Sequence, residues 1–521
     1  MSIDAIEIEL FRNRFSAIAE EMGEVLTRAA FSPNIKERRD HSCAIFDCAG
    51  DMVAQAAHIP VHLGAAPLCV KAVISALSPR AGQTAIVNDP YAGGTHLPDI
   101  TLVHAVSLEG SETPDFYVAV RAHHADVGGI APGSLPPSTH IDEEGWRTPP
   151  VFLTDAVTES LYAVSRTPFE RKGDMAAQVA CVHLGEKRLH ELSQTHGRAT
   201  LLTMATALQD YAERLVAARL AAMGDVVVEA RDQMDNANGT GEPIALHVRV
   251  TVQDGRMVVD FGECALQVQG PLNAPRAIAE SAAFYLLLCL LPEETPANGG
   301  IMRRCRVVTR SGTIVDPVWP AAVAAGNVET SQRLVDLLFQ AMQQIMPMPA
   351  CSYGTMNNLL LGSAPGAERA WVMYETMGGG HGGGPLGSGA HAMQAHMTNT
   401  LNTPIEALEH AFPLRVRQYR VRSGSGGAGL HPGGNGLIRT FELLTDTVVT
   451  IIAERRTHGA PGARGGSAGQ PGTQYVDHAV PLSVSHTEGR TPLPGKGTAT
   501  WPPGSRITIA TPGGGGFGSP P

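Results

Sequence analysis

The sequence predicts an α+β chain of several subdomains, with mixed β-sheets, packed helices and long glycine-rich loops. Three observations predict it. At 521 residues the chain exceeds the roughly 250–300 that one hydrophobic core organises. Helix-period and strand-period segments are mixed along it. Long Gly/Pro-rich stretches separate them, of the kind that functional loops occupy.

The elements follow in order. From Ile3 to Ala30 apolar residues recur at helical spacing (Ile6, Leu10, Phe15, Ile18, Met22), which predicts an amphipathic helix. Strands are expected at Ser42–Phe46 and Thr84–Val87, with a helix at Pro67–Leu77 between them, and again at Thr101–Val106 and Phe116–Ala122. Gly128–Pro150 reads as an irregular loop. Gly173–Met223 reads as a helical hairpin broken near Gly197. Strands return at Val226–Glu229, Ile244–Gln253 and Arg256–Phe261, with Asp254-Gly255 as a hairpin turn. Helices follow at Pro275–Leu291 and Ser331–Ile345, then strands at Leu414–Arg422, Leu437–Leu444, Thr447–Glu454 and Ile507–Thr511. The organisation expected is an N-terminal region 1–150, a helical segment 151–223, an α+β subdomain 224–350 and a Gly-rich, β-dominated region 351–521.

Composition excludes several classes. Net charge is −11 and no Lys/Arg run makes a basic stripe, which argues against a nucleic-acid partner. The eight cysteines are scattered and form no Cys-x-x-Cys pair, as in a reduced cytoplasmic chain. Met1–Arg12 is acidic and amphipathic, unlike a signal peptide, and the longest apolar run, Ser281–Leu291, is too short for a bilayer. A soluble cytoplasmic protein is expected. Only 17% of residues are charged, which suits a surface covered by other subunits.

Chemistry concentrates between Glu37 and Asp126. Asp40, His41, His58, His62, Asp89, His96, Asp99, His104, His123, His124 and Asp126 crowd among glycine turns there. Imidazole nitrogens and carboxylate oxygens are the ligands of zinc, manganese and iron. His96 and Asp99 form a His-x-x-Asp pair after the tight Gly93-Gly94 turn, with Pro98 stiffening the bend, so both side chains can converge on one point. Asp40 and His123 sit at strand margins and can complete four ligands. Asp89 or Asp126 can orient a ligand imidazole. Each histidine alone is more often a hydrogen-bonded structural residue, so the case rests on the cluster.

Two further stretches stand out. From Gly378 to Gly384 every residue but His381 is glycine, which lets backbone N–H groups line a cavity and suits a loop cradling an anion or a polar substrate. No Gly-Lys-Ser/Thr follows, so it is not a P-loop. In His396–Glu406, Thr403, Pro404 and Glu406 read as a helix start, leaving His396 and Asn399 as candidate substrate contacts. The Gly513–Gly518 tail reads as a disordered end in which Phe517 hints at docking on a partner.

These motifs resemble the hydantoinase B family. The carriers are Glu37-Arg38-Arg39-Asp40-His41-Ser42, Asn88-Asp89-Pro90-Tyr91-Ala92-Gly93-Gly94-Thr95-His96-Leu97-Pro98-Asp99, Arg121-Ala122-His123-His124-Ala125-Asp126, Glu143-Glu144-Gly145, the loop around His381, and His396-Met397-Thr398-Asn399-Thr400, in order along nearly the whole chain. The family includes B subunits of N-methylhydantoinases, 5-oxoprolinases and caprolactamase, and the related large subunits of acetone and acetophenone carboxylases. The resemblance implies a metal centre of two carboxylates and two imidazoles on Asp40, His96, Asp99 and His123, these being the catalytic residues, with His124, Asp89 and Asp126 behind them. It favours His123 over His124 as ligand, because the family pattern is His, a variable residue, a small residue, Asp. His41 departs from the aromatic that is commoner there. The metal implied is divalent, zinc foremost, with manganese or iron compatible. ATP with magnesium would be bound by an A-type partner subunit, in a heterotetramer or larger assembly.

The implied reaction is ATP-dependent opening of a hydantoin, 5-oxoproline or a lactam. Phosphorylating the amide oxygen makes it a leaving group, and a metal brings the pKa of water down to about 7 for attack. The alternative is a ketone carboxylase using bicarbonate. A non-catalytic scaffold would have no use for the His/Asp cluster.

Overall fold

The structure, a computed structural model, describes residues 4–56, 59–110, 112–239, 241–478 and 490–520. It is α+β, as expected, with antiparallel sheets and one parallel pair.

The first sheet collects β1 (His41–Asp47), β2 (Met52–Gln55), β3 (Thr84–Val87), β4 (Asp99–Val106), β5 (Phe116–His123) and β6 (Val151–Phe152) in the order β2-β1-β5-β4-β3-β6. Every residue of β4 and β5 is buried, because both faces are covered. Alternation sends Ile100, Leu102, Val118 and Val120 to one core with Phe15, Met22 and Cys181. These last come from α1 (Ala5–Ala29) and α5 (Pro168–His196). Val103, Ala105, Tyr117 and Ala119 face the opposite core, with Cys69, Val70 and Val73 of α3 (His62–Leu77). Between α1 and α3 lies the single turn α2 (Pro33–Lys36), and α4 (Asp155–Val164) precedes α5. Asp4 and Glu7 close a capping box at the start of α1, satisfying N–H groups that the first turn leaves free.

The second sheet, β7 (Val226–Met234), β8 (Ile244–Gln253), β9 (Arg256–Asp260) and β10 (Cys305–Val308), runs β10-β9-β8-β7. Asp254 and Gly255 both have positive φ, as the predicted hairpin turn requires. The helix α6 (Arg198–Met223) leads into this sheet, and α7 (Arg276–Leu290) and α8 (Ser331–Met342) share its core with α3. The later strands are β11 (Asn358–Ser363), β12 (Val372–Glu375), β13 (Leu414–Val421), β14 (Leu437–Leu443), β15 (Thr447–Ile452), β16 (Thr473–Asp477), β17 (Arg490–Pro492), β18 (Lys496–Trp501) and β19 (Arg506–Ala510). They form a sandwich: β12-β11-β15-β18 packs Leu359, Leu361 and Met373 against Leu437, Phe441 and Ile507 of β13-β14-β19-β16-β17, with α9 (Ile405–Ala411) over one end. The reverse face of the first of these sheets (Leu360, Tyr374, Ile452) joins the central core.

Four details differ from expectation. Helix α3 begins at His62, with Pro67 inside its second turn, and α5 begins at Pro168 rather than Gly173. Thr403 does not cap α9: its N–H donates to Glu375 (2.9 Å) and Pro404 precedes the helix. The C-terminal glycines are not a loose end; they are threaded into backbone layers, and Phe517 is buried with Ala350 and Ala463. No disulfide forms among the described residues.

Candidate metal centre

Strand register builds the site. In the β4–β5 ladder Asp99 lies directly opposite His123. In the β1–β5 ladder His41 lies opposite Ala122, and the His123 N–H donates to the Asp40 carbonyl at 3.0 Å. Period-2 alternation then turns Asp40, Asp99 and His123 toward the same face, at one end of the sheet. Arg39 takes a left-handed conformation (φ 55°) just before Asp40. The turn ahead of β4 adds His96. Gly93 has φ 87°, and a Cβ on Gly94 would lie 2.7 Å from the Asp89 carbonyl oxygen, so both glycines are required there.

The result is a triangle of candidate donor atoms. His96 Nε2, His123 Nδ1 and Asp99 Oδ1 are each 3.2 Å from the other two. A tetrahedral ion with bonds of about 2.0–2.1 Å has ligand–ligand edges of about 3.3 Å, so the triangle has the dimensions of one face of such a site. All three side chains are buried. Asp99 Oδ1 has no aligned hydrogen bond despite two imidazole nitrogens at 3.2 Å, and the buried Asn327 Oδ1 and His123 Nε2 also lack partners. An unsatisfied carboxylate oxygen facing two imidazoles is the donor set that a divalent cation completes.

The surroundings hold these atoms in place. His96 Nδ1 lies 3.0 Å from the Ala324 carbonyl, which accepts an N–H there and leaves Nε2 its lone pair. Asn327 Nδ2 contacts His96 Nε2 (3.0 Å) and Asp99 Oδ2 (3.3 Å). Thr95 donates to Asp99 Oδ2 (2.6 Å), and His62 Nε2 stands 3.4 Å from that oxygen while its Nδ1 meets Ser42 (2.8 Å). The His123 ring stacks on Tyr374 at 4.9 Å. Tyr374 donates to Asn358 (2.8 Å), and Arg38, fully buried, lies 4.5 Å over the Tyr374 ring and bonds to its carbonyl.

The three groups are electrostatically coupled. Burial pushes the Asp99 carboxyl up, but the charges of His96 and His62 and the close approach of His123 and His62 outweigh it and hold it well below the usual range. Burial lowers His96, yet the charge of the adjacent Asp99 brings it above its ordinary value. His123 falls below its own, because burial dominates and the neighbouring His96 charge opposes a second proton. Behind Ala324 stands Glu144. Its Oε1 accepts from Ser138 (2.7 Å), Val323 N–H (2.8 Å) and Ala324 N–H (2.9 Å), and burial pushes its carboxyl up to about 7.

The other candidates lie as follows. Asp40 lines the same small cavity as Asp99, His123, His62, Asn327 and Tyr374, without joining the triangle. That cavity, of about 20 Å³, has room for an ion or a water and none for a cyclic amide. His124 points the other way, to Gln178 (2.8 Å), where burial lowers its pKa to about 4. Asp89 accepts from Tyr91 N–H (2.9 Å) and Arg147 (2.8 Å). Asp126 takes the N–H groups of Gly128 (3.1 Å) and Arg166 (2.9 Å). Neither acid touches an imidazole of the triad among the bonds described; each fixes a loop. His396 bonds Asp336 (3.2 Å), and His381 bonds the Gln394 carbonyl (2.7 Å). Asn399 follows Thr398, which lines the cavity. His58 lies outside the described residues. Arg38, His62, Tyr374, Asn327 and Glu144 had no assigned role in the sequence reading. His62 stood in the His/Asp cluster, whereas Asn327 reaches the site from 231 positions beyond His96.

Residues 4–520 match the family described as Hydantoinase B/oxoprolinase. The 5-oxoprolinase 1 of Arabidopsis thaliana is 36% identical over 551 residues, covering 99% of this chain, which spans only 42% of that longer protein. The ATP-dependent caprolactamase from Pseudomonas jessenii superposes with TM-score 0.88 at 23% identity, covering all of this chain and 92% of that one. A nucleotide-free acetone carboxylase chain superposes with TM-score 0.89 at 16% identity, over 99% of this chain and 76% of that one. These two likenesses are of fold. The family match over almost every residue is of sequence, and by it this chain belongs to the hydantoinase B/oxoprolinase family.

Proposed function

We propose that this chain is the metal-binding catalytic subunit of an ATP-dependent cyclic-amide hydrolase. The observation that carries the reading is the buried triangle of His96, Asp99 and His123 with its unsatisfied carboxylate oxygen. Membership in a family that contains 5-oxoprolinases supports the substrate class, a hydantoin, 5-oxoproline or a lactam.

In this reading His96, Asp99 and His123 hold a divalent ion, zinc foremost with manganese or iron compatible, and Asp40 faces the same cavity as a fourth ligand. The ion supplies Lewis-acid polarisation and an activated water. The protein does the rest. Ala324 and Glu144 fix the His96 tautomer, Tyr374 and Arg38 fix the His123 ring plane, and Asn327 bridges His96 and Asp99. Burial of the whole set excludes bulk water, so the charge of the ion acts at low dielectric. On the substrate side we assign Asn399, beside the cavity wall at Thr398. His381, held by the Gln394 carbonyl, and His396, held by Asp336, are the further substrate contacts proposed. ATP with magnesium is assigned to an A-type partner subunit, since no Gly-Lys-Ser/Thr phosphate loop follows the glycine-rich stretches of this chain. A heterotetramer or larger assembly is the form proposed.

The second reading, a ketone carboxylase, rests on the fold shared with acetone carboxylase. One experiment separates the two. The chain is purified with its ATP-binding partner and assayed with ATP against hydantoin, 5-oxoproline and caprolactam, and against acetone with and without bicarbonate. Ring opening coupled to ATP hydrolysis and indifferent to bicarbonate is expected. Turnover that appears only with ketone and bicarbonate would replace the hydrolase reading with the carboxylase one.

A further inference from the structure

The face of the first sheet opposite the triad carries a second cluster. His104 on β4 is buried, and α5 crosses it with His183 and Glu186, one helical turn apart. His104 Nε2 lies 3.3 Å from Glu186 Oε2, and His183 Nδ1 lies 3.5 Å from the same oxygen. The three donor atoms fall within 4.8 Å of one another. His104 Nδ1 is committed to the Thr84 hydroxyl at 2.8 Å, which leaves Nε2 as the atom aimed into the cluster. That nitrogen is buried and has no aligned hydrogen bond in spite of the carboxylate beside it.

This place is independent of the first. Asp99 and His104 are five residues apart on one strand, about 16 Å at the rise of a β-strand, and their side chains leave opposite faces. The accessibility also differs. The side chain of His183 is 54% exposed and that of Glu186 28%, so the cluster opens to solvent along α5. Two imidazoles and a carboxylate with an open position form the mixed nitrogen/oxygen set that borderline divalent ions prefer, while calcium and magnesium want oxygen alone.

We propose that His104, His183 and Glu186 form a second, solvent-accessible site for a divalent transition ion of the zinc type, clamping α5 onto β4. Thr84 acts as its orienting partner: in the tautomer in which Nδ1–H donates to the hydroxyl, Nε2 presents its lone pair to the ion. Small rotations of His183 and Glu186, both on the open side of the helix, bring the donor spacing to the about 3.3 Å edge of a tetrahedral site.

The test counts ions. The full chain, without a histidine tag, is stripped of metal and titrated with Zn²⁺ by calorimetry. Bound zinc is then measured by plasma mass spectrometry after gel filtration. Wild type is expected to hold one equivalent more than His183→Ala and more than Glu186→Gln, and excess Zn²⁺ should raise the melting temperature of wild type further than that of either variant. His183 is more than half exposed, and glutamine keeps the shape of Glu186, so the fold is kept. Equal zinc counts in wild type and both variants would overturn the proposal. Asp99→Ala keeps the result separate from the first site: it is expected to lose the triad's ion while retaining the one that His183→Ala loses.

Discussion

Two regions of this molecule look alike as sequence and differ as structure. Each sets a histidine among glycines: Gly93-Gly94-Thr95-His96, and His381 within Gly378–Gly384. In the first, the glycines let a tight turn deliver His96 into a buried group whose carboxylate oxygen is unsatisfied. In the second, the glycines let backbone approach backbone. A Cβ on Gly380 would lie 1.8 Å from the Gly434 carbonyl oxygen, and one on Gly434 would lie 1.8 Å from that of Ala390. The N–H groups of Gly380, His381 and Gly383 donate to the carbonyls of Pro512, Ala390 and Gly515, so these three are spent on backbone packing. The glycine-and-histidine pattern is the same in both; what sets the first apart is an unsatisfied carboxylate oxygen facing two imidazoles.

The largest effect that sharpens this contrast is on folding. Gly380→Ala or Gly434→Ala forces a methyl group into a backbone carbonyl that cannot swing aside, and should destabilise the chain by about 3 kcal/mol or more. A denaturant melt measures it, and an unchanged midpoint would mean that the glycine layer is loose. Next comes Asn327→Ala, which removes the bridge between His96 and Asp99 and should weaken metal binding about 10–100-fold. Competition with a chelator reads that affinity, and a wild-type value would leave Asn327 a bystander.

The third effect is smaller and depends on pH. Burial raises the folded pKa of Glu144 from 4.5 to about 7. For a raised pKa the stabilising contribution is complete below the unfolded value and is lost as pH rises through the folded one. The metal-free wild type should therefore lose melting temperature relative to Glu144→Gln between pH 4.5 and about 7. Glutamine keeps the acceptor for Val323 and Ala324 and removes the ionisation. Parallel melting curves across that range would refute the assignment.

What was legible in the sequence follows from how each part is stabilised. The strands Thr101–Val106 and Phe116–Ala122 were legible because a sheet buried on both faces needs continuous β-branched and apolar residues. Asp254-Gly255 was legible because its turn needs positive φ. The His96/Asp99 pair was legible because the glycine turn and the strand start are local. The glycine layers were not, since backbone-to-backbone packing leaves no side-chain period to read. Asn327 and Glu144 were not, because they act through contacts across 231 and 180 positions. Tyr374 stands in a motif that was read, but its role depends on strand β12 reaching His123, which only the tertiary fold provides.

The central claim is that the triangle is a metal site, and the most direct measurement is the metal content of the purified chain, prepared without chelator. Wild type, Asp99→Ala and His123→Ala are compared by plasma mass spectrometry, each carrying His183→Ala so that only the triad is counted. The account predicts about one equivalent of a transition ion in the His183→Ala background and none in either double variant. An ion-free His183→Ala chain, or one whose ion survives loss of Asp99 and of His123, would contradict it.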